Sequence, residues 1–435
     1  IRMTARKRSL VLIMRARFVS LVDHIQAMLD LAIDIHVVTV DSEPVGQDPR
    51  FASVRQLPVD TSHEQFVETC VQVAQERGAS AVFTFLEIDI EIAEAANARL
   101  GNKWGSVAAA RICRDKMRQR MFLREHGIPS VWFHPVGDIE AAVTAAKEQG
   151  FPLIVKPTRA AASEYVELVH DETRLRAALA GIQDMIARKR GFYYDSEADN
   201  WALLEEYLPG QEVTLDGVVL DGRFVLGGVH NKRESSGPFF EEDFYTLPFS
   251  NPEREDELVG IATQIVDHLD IQLCLFNAEL REGADGRYRL VEFSIRGSGG
   301  HPYRHIKDVY SIDLVRMYLR AACGEPVEEI LAQENQRSEP RMTVCAKVVY
   351  ANGLVVRNSV GEAIHSPYFR VYFPVARPGT NVVADERGIE FTGLLSVWMP
   401  WEPGQDPARV HRVAEELAGK LDVEIVSDTP EARVG

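Results

Sequence analysis

The segment that decides the fold is residues 276–300, F-N-A-E-L-R-E-G-A-D-G-R-Y-R-L-V-E-F-S-I-R-G-S-G-G. Apolar residues on both sides of the polar stretch 283–286 predict two antiparallel strands joined by a hairpin. Glu279 and Glu292 would then lie on paired strands, partly shielded from water. Two carboxylates held this close repel each other unless a divalent cation lies between them, and oxygen ligands suit Mg²⁺ or Mn²⁺. Taken alone, two glutamates on a solvated surface explain the pattern more simply.

The residues that follow Glu292 favour the metal interpretation. Arg296 and the glycine-rich turn at residues 297–300 would place a guanidinium group and free backbone N–H groups beside the proposed metal. Both kinds of group bind phosphate or carboxylate oxygens. A glycine-rich turn is weak evidence by itself, but here it follows the carboxylates within a few residues. The sequence therefore predicts an anion site next to the metal.

Two lysines lie upstream of this hairpin. Lys156 ends the apolar run F-P-L-I-V-K-P, residues 151–157, which predicts a short buried strand. Lys116 lies near the start of a predicted helix at residues 114–126, which the sequence G-I-P ends. Burying a lysine is costly unless its charge meets an anion, and phosphate is the natural partner. The alternative is a lysine at a strand end that reaches solvent.

Residues 203–212, L-L-E-E-Y-L-P-G-Q-E, form a third candidate element. An exposed backbone edge beside Glu205 would suit an adenine ring, and Glu212 would accept hydrogen bonds from ribose hydroxyls. By itself this segment is simply a strand.

The first hundred residues alternate strand and helix signals, with strands at residues 9–14, 35–40 and 81–85. This alternation predicts a parallel sheet and an α/β fold class. Ligands of such sheets usually bind at the carboxyl ends of the strands, which here include Asp41 and residues 84–87. A helix N-cap explains an acidic residue at such a position equally well.

Composition narrows the class of protein. The chain has 435 residues and a net charge of −17, which argues against a broad nucleic-acid surface. Its five cysteines are scattered and form no C-x-x-C pair, so a reducing, cytoplasmic setting fits best. No apolar run is long enough to cross a bilayer. The basic start and the apolar run at residues 10–14 suit a first strand better than a signal peptide.

The order of these elements resembles the ATP-grasp superfamily, and within it the L-amino-acid ligases that make dipeptides. The resemblance extends from about residue 80 to the C-terminus. It implies an N-terminal Rossmann-like domain at residues 1–110 and an ATP-grasp subdomain with a lid at residues 111–195. A second ATP-grasp subdomain with the metal site would follow at residues 196–335. A C-terminal β-rich domain would occupy residues 336–435.

The resemblance also implies an ATP site between the two parts of the core. The residues that it assigns to ATP are Lys116, Lys156, Ser163, Glu205, Tyr207, Leu208 and Glu212. The two lysines match the residues that hold the phosphates. Glu205 and the backbone at residues 207 and 208 match the adenine contacts, and Glu212 matches the ribose contact.

Metal and catalytic roles follow from the same resemblance. Glu279, Glu292 and Ser294 match the ligands of Mg²⁺ or Mn²⁺. Arg296 matches the arginine that holds the acyl phosphate or its carboxylate precursor, and Lys156 is the second catalytic candidate. Residues 230–248 lie where related ligases place amino-acid contacts. The substrate candidates are Lys232, Glu241, Glu242, His301 and Arg304, with His305 beside them.

Two departures from the family pattern stand out. The lid usually has the form K-P-x-x-G-x-G-S-x-G-V, whereas residues 156–166 are K-P-T-R-A-A-A-S-E-Y-V. Ser163 is retained and the glycines are not, so Arg159 would supply charge in their place. Ser294 stands where the family commonly has Asn, and its hydroxyl would ligate Mg²⁺ more weakly or through water.

The expected function is an ATP-dependent ligase that activates a carboxylate as an acyl phosphate and joins it to an amine. Both substrates are expected to be small molecules, at least one of them an amino acid, and a homodimer is expected by analogy. One alternative is a ligase of the biotin-carboxylase type that uses bicarbonate. Another is a nucleotide-binding regulatory protein with a weakened site. Five retained residues argue against the second alternative: Lys116, Lys156, Glu279, Glu292 and Arg296.

Overall fold

The computed structural model describes residues 8–16, 21–40, 48–102, 106–160, 163–188, 200–234, 242–385 and 388–426. Asp41 and Glu241, both singled out above, lie outside this part of the chain. Within it, no helix combines the length and the apolar character that crossing a membrane requires.

The N-terminal region alternates strands and helices: β1 (Arg8–Met14), α1 (Leu21–Asp30), β2 (Ile33–Val40), β3 (Ser53–Leu57), α2 (His63–Arg77), β4 (Val82–Phe83), α3 (Ile90–Arg99) and α4 (Val107–Cys113). The strands pair in parallel in the order β3-β2-β1-β4, as the alternating pattern predicts. Helix α2 begins where Ser62 and Gln65 form a reciprocal capping box. It ends at Gly78, whose φ of 63° lets the chain leave the helix.

A second group of elements builds a smaller sheet: α5 (Lys116–Glu125), β5 (Phe133–Val136), α6 (Ile139–Gln149), β6 (Leu153–Pro157), β7 (Glu167–Val169), α7 (Glu172–Arg188) and β8 (Ala202–Glu206). The strands pair antiparallel in the order β5-β8-β6-β7. Helix α5 begins at Lys116 because the side chain of Asp115 accepts a hydrogen bond from the N–H of Arg118. Lys116 and Lys156 thus occupy the helix start and the strand end that the sequence predicts.

The third group carries the carboxylate pair: β9 (Glu212–Leu220), β10 (Arg223–Glu234), β11 (Glu242–Leu247), α8 (Glu255–His268), β12 (Leu273–Glu282), β13 (Tyr288–Ser294), α9 (Pro302–Tyr310), α10 (Leu314–Ala322) and α11 (Val327–Glu334). Helix α11 occupies the polar stretch after residue 325.

The C-terminal region is mainly β: β14 (Met342–Val349), β15 (Gly353–Ser359), β16 (Phe369–Pro374), β17 (Asn381–Val382), β18 (Ala384–Asp385), β19 (Gly388–Ile389), β20 (Gly393–Pro400), α12 (Ala408–Ala418) and β21 (Asp422–Val426). Three of its strands extend the sheet of the third group, in the order β13-β12-β9-β10-β11-β14-β20-β16. The proposed boundary at residue 336 therefore crosses one continuous sheet, and the four-domain division stays a prediction.

The two faces of this eight-stranded sheet pack differently. On β9, Val213 and Leu215 belong to a core cluster that includes α8 residues such as Ile261. Val218 and Leu220 belong instead to a cluster that joins α9, α10 and the N-terminal sheet. Because side chains alternate along a strand, Thr214 and Asp216 lie on the α9 face. The same packing brings the carboxyl end of the N-terminal sheet to this face.

Candidate active site

Glu279 and Glu292 lie directly opposite each other on β12 and β13. The predicted hairpin is thereby confirmed, and the two carboxylates are about one third exposed. Each has a lysine beside it. The Nζ of Lys116 lies 3.2 Å from Oε1 of Glu292, and the Nζ of Lys232 lies 3.5 Å from Oε1 of Glu279. The lysines and carboxylates, which lie on separate elements of the sequence, therefore meet near the β13 edge of the large sheet.

Lys116 also connects this pair to the segment that follows Lys156. Its Nζ donates a hydrogen bond of 3.1 Å to the carbonyl oxygen of Ala160, and its backbone N–H donates to that of Thr158. The side chain is buried. A phosphate that replaced these partners would meet a cation already held in position.

Lys156 forms a buried cluster with Glu205 and Arg120. Its Nζ lies 2.7 Å from Oε2 of Glu205, while the Nε of Arg120 lies 2.7 Å from Oε1. Burial lowers the pKa of Lys156 to about 8, although Glu205 acts in the opposite direction. Burial alone would raise the pKa of Glu205, but the charges of Arg120 and Lys156 outweigh it and hold that pKa below its ordinary value.

This cluster refines the prediction for residues 205–208. The expected exposed backbone edge is wrong at Glu205, because β8 pairs with β5 on one side and with β6 on the other. The carboxylate of Glu205 is also engaged by two cations, so the adenine contact stays a prediction for residues 207 and 208. Arg120 was missed by sequence reasoning. Its position one helical turn after Lys116 on α5 was the available signal.

Glu212 also lies between two cations. Its Oε1 is 2.5 Å from the Nζ of Lys232, and its Oε2 is 3.1 Å from the Nη1 of Arg281. The Nε of Arg281 donates to the carbonyl oxygen of Leu208 at 2.8 Å, and its guanidinium lies 5.8 Å from the ring centroid of Tyr207. The candidate adenine and ribose residues thus form one connected group.

Arg296 and Ser294 share a partner from the N-terminal sheet. The Nε of Arg296 lies 2.5 Å from Oε2 of Glu87, and the hydroxyl of Ser294 donates to the same oxygen at 2.8 Å. Arg114 lies 3.7 Å from the other oxygen. Burial would raise the pKa of Glu87, but Arg296 and Arg114 outweigh it and hold the pKa low. The hydroxyl of Ser294, a predicted metal ligand, is thus engaged by Glu87 in this conformation.

Glu87 was only weakly indicated by the sequence, as part of the strand end at residues 84–87. It begins a 3₁₀ turn that follows residues 84–86, the segment after β4, on the side of the sheet where the carboxyl ends of the parallel strands lie. The N-terminal region therefore contributes a side chain to the site.

The substrate candidates do not all reach this region. Lys232 lies within it, whereas Arg304 is paired with Asp23 of α1 at 2.6 Å. His301 is buried against the ring of Phe373, and burial lowers its pKa to about 3. His305 is also buried, and its Nε2 lies 2.9 Å from the hydroxyl of Ser396. Glu242 begins β11, but its side chain lies outside the described part of the structure, as does all of Glu241.

Two residues of the lid have the backbone conformation that glycine adopts most easily, although neither is a glycine. Ser163 and Tyr165 have φ angles of 54° and 55°, in the left-handed region that favours glycine. Position 165 is one where the family pattern has Gly. The Tyr165 ring packs close to Gly181 on α7, and its hydroxyl accepts a hydrogen bond from Arg188. This packing offsets the strain of a non-glycine residue in that conformation, about 1–2 kcal/mol.

The residues fit a magnesium site that is completed by phosphate. Among the described residues, no group of three or more His, Cys, Asp and Glu side chains is arranged to hold a metal ion. Mg²⁺ is usually bound by one or two carboxylates together with substrate phosphates and water, rather than by an all-protein cage. Glu279 and Glu292, paired and partly exposed, provide that kind of donor set.

Comparison with known proteins bears on the fold. Residues 149–302 match the family of the ATP-grasp domain. Over 98% of its length the chain superposes on all of an L-amino acid ligase from Bacillus licheniformis, with a TM-score of 0.80 and 19% identity. A biotin carboxylase domain of the 2-oxoglutarate carboxylase from Hydrogenobacter thermophilus gives a TM-score of 0.71 and 18% identity, covering 97% of this chain and 92% of that one. The predicted ATP-grasp fold is confirmed.

The curated relatives include proteins named as ligases and synthases. Alanine–anticapsin ligase from Bacillus subtilis (strain 168) is 27% identical over 276 residues, which cover 60% of this chain and 57% of that protein. Carnosine synthase 1 from Gallus gallus is 25% identical over 328 residues, covering 69% and 34%. The predicted resemblance to amino-acid ligases is confirmed. The chain spans little more than half the length of the Bacillus relatives.

Proposed function

We propose that this protein is an ATP-dependent carboxylate–amine ligase that forms an amide or peptide bond and releases ADP and phosphate. ATP and Mg²⁺ (or Mn²⁺) are its cofactors, and an amino acid is at least one of its substrates. The observation that carries the proposal is the meeting of Lys116 and Lys232 with the paired carboxylates Glu279 and Glu292. Arg296 lies close enough to interact electrostatically with both carboxylates.

In the first step a carboxylate oxygen of the acid attacks the γ-phosphorus of ATP, the bond to the ADP oxygen breaks, and ADP leaves. Two anions must approach each other, so the site has to offset their charge. Lys116 and Lys156 bind the phosphates, and Arg296, oriented by Glu87, holds the acid. When bound at Glu279 and Glu292, Mg²⁺ supplies further positive charge to the phosphate oxygens.

In the second step the amine nitrogen attacks the acyl carbon, the C–O bond to phosphate breaks, and the nitrogen gives up a proton. This sequence requires no nucleophile from the protein. The cysteines are free, and all except the half-buried Cys323 are buried, which suits both this chemistry and a cytoplasmic location.

Phosphate release from Mg²⁺-ATP over a matrix of amino acids, offered singly and in pairs, tests the proposal. A signal that needs a specific pair, with ADP as the nucleotide product, supports the ligase. Release that bicarbonate alone stimulates would replace the ligase with a carboxylase-type reaction. ATP binding without turnover across the whole matrix would favour a nucleotide-binding regulatory protein. The altered lid at Tyr165 would then account for the weakened site.

A homodimer is part of the same proposal. The related 2-oxoglutarate carboxylase domain is described as a dimer. Sedimentation velocity at two protein concentrations would distinguish a dimer from a monomer, independently of activity.

A further inference from the structure

Buried polar groups without hydrogen-bond partners are concentrated on the α9 face of the large sheet. Within the described part of the chain, the Oγ1 of Thr214, the Oδ2 of Asp216 and both ring nitrogens of His230 have no partner. These three side chains are at most 3% exposed. Such groups cost free energy in a folded protein, and a native sequence that retains several of them side by side calls for an explanation.

The strand register places these groups next to the carboxylate pair. Thr214 on β9 lies opposite Glu279 of β12 on one side and opposite His230 of β10 on the other. Glu292, Glu279, Thr214 and His230 therefore form one row across four strands, on one face of the sheet. Asp216 lies two residues along β9 from Thr214 and so shares that face.

Helix α9 covers the row. The ring of His305 lies 5.6 Å from that of His230, and a side chain at Gly228 of β10 would meet Ile306 and Tyr310. The helix follows the glycine-rich turn directly, and Gly300 in that turn has a φ of 79°. The turn is held to the sheet because the N–H of Ser298 donates to Oδ1 of Asp216. Access to the row therefore requires the first turn of α9 to move.

The unpartnered atoms are suited to a hydrogen-bond donor such as a neutral amino group. Asp216 supplies a carboxylate oxygen, Thr214 a hydroxyl oxygen, and His230 a ring nitrogen that accepts when the ring is neutral. The groups facing His230 are His305 of α9, Tyr245 of β11 and Thr214 of β9. Burial lowers the pKa of His230 to about 3, so at neutral pH the ring is uncharged and one of its nitrogens is able to accept a hydrogen bond.

We propose that Thr214, Asp216 and His230 bind the amino group of the amine substrate, beside the carboxylate pair where the acid is activated. The assignment rests on the proposed ligase function, and it names the substrate class of this part of the site as a primary amine.

Thr214→Val tests the assignment, since it removes one hydroxyl at nearly constant volume. Hydroxylamine serves as a second acceptor, because this small nucleophile traps an acyl phosphate without needing an amine pocket. We expect the KM for the amino acid that the wild type uses best as acceptor to rise about tenfold or more. Hydroxamate formation from acid, ATP and hydroxylamine should stay within about twofold of the wild type. His230→Asn and Asp216→Asn should act in the same direction.

Thermal unfolding supplies a readout that a purely structural role would not produce. Because the Thr214 hydroxyl has no partner, Thr214→Val should unfold at the same temperature as the wild type or at a higher one. Thr343→Val, at a buried threonine of β14, is the matched control and should leave the amine KM unchanged.

Either of two results would overturn the amine assignment and leave the ligase function standing. One is an unchanged KM for the amine. The other is a rise in that KM together with a proportional loss of hydroxamate formation and a lower melting temperature. Failure of the wild type to form hydroxamate with any acid would instead remove the ligase function, and the amine assignment with it.

Discussion

The Nε of Arg296 lies 2.5 Å from a carboxylate oxygen of Glu87, across 209 positions of sequence. This ion pair joins the 3₁₀ turn that follows β4 to the segment that directly follows β13, the strand that carries Glu292. A glutamate from one region thus orients the arginine that we assign to the acid substrate. Glu87 is buried, and its loss would leave Arg296 and Arg114 without their shared partner.

Glu87→Gln should reduce turnover without abolishing it. The amide still accepts a hydrogen bond, but it no longer offsets the charge of Arg296, so kcat should fall on the order of ten- to a hundredfold. Steady-state ADP formation measures this. Glu64→Gln, which removes an exposed ion pair with Arg99, is the control and should behave like the wild type. An unchanged kcat would show that Arg296 does not depend on Glu87.

Glu292→Gln should abolish turnover. It removes one of the two carboxylates that we assign to Mg²⁺, and with it the partner of Lys116. We expect ADP formation to fall on the order of a hundredfold or more. Asp285→Asn, in the turn of the same hairpin, should retain activity because Asp285 pairs with Arg289 and accepts from the N–H of Arg287, both within that turn and away from the carboxylate pair. Activity near that of the wild type in Glu292→Gln would remove the metal assignment.

ATP affinity should weaken as the pH rises through about 8. Burial brings the pKa of Lys156 to about that value, and only the protonated amine binds phosphate as a cation. Between pH 7 and 9 the dissociation constant should therefore rise roughly tenfold. Lys156→Arg keeps its charge over this range and should give a flat profile. Lys147→Arg, at an exposed ion pair with Glu172, should keep the wild-type slope. Equal slopes in the wild type and Lys156→Arg would contradict the prediction.

Asp216 should make stability depend on pH. Burial raises its pKa from 3.8 to about 6, so the unfolded chain ionises this group first. Between pH 4 and 6 the folded state binds more protons at this site, and its contribution to stability falls as the pH rises, by up to about 3 kcal/mol. Urea unfolding at four pH values should show Asp216→Asn gaining stability relative to the wild type across this window. Asp221→Asn, at an exposed turn, should show the same dependence of stability on pH as the wild type. Parallel curves of unfolding free energy against pH for all three proteins would contradict the raised pKa of Asp216.

Sequence reasoning located the parts of the site that lie close together along the chain. The hairpin that pairs Glu279 with Glu292 follows from apolar runs on both sides of a glycine-bearing turn. The positions of Lys116 and Lys156 follow from a helix start and a strand end. Arg120 was missed, although its position one helical turn after Lys116 was a signal, and Glu87 was indicated only weakly. Their partners, Glu205 and Arg296, lie far away in sequence, so no local pattern shows these contacts. The unpartnered group formed by Thr214, Asp216 and His230 was also missed, because isolated polar residues in a strand are common.

The sequence by itself determined which local elements form and which of them carry charge, because turn chemistry and the spacing of apolar residues act over a few positions. Only the tertiary structure decided which charges meet. Lys232 of β10 contacts Glu212 of β9 and, across that strand, Glu279 of β12, because the sheet places β9 between β10 and β12. Arg296 meets Glu87 because the N-terminal sheet packs against α9 and α10 through a shared apolar core. Those contacts depend on burial summed over the whole chain, which no short stretch of sequence contains.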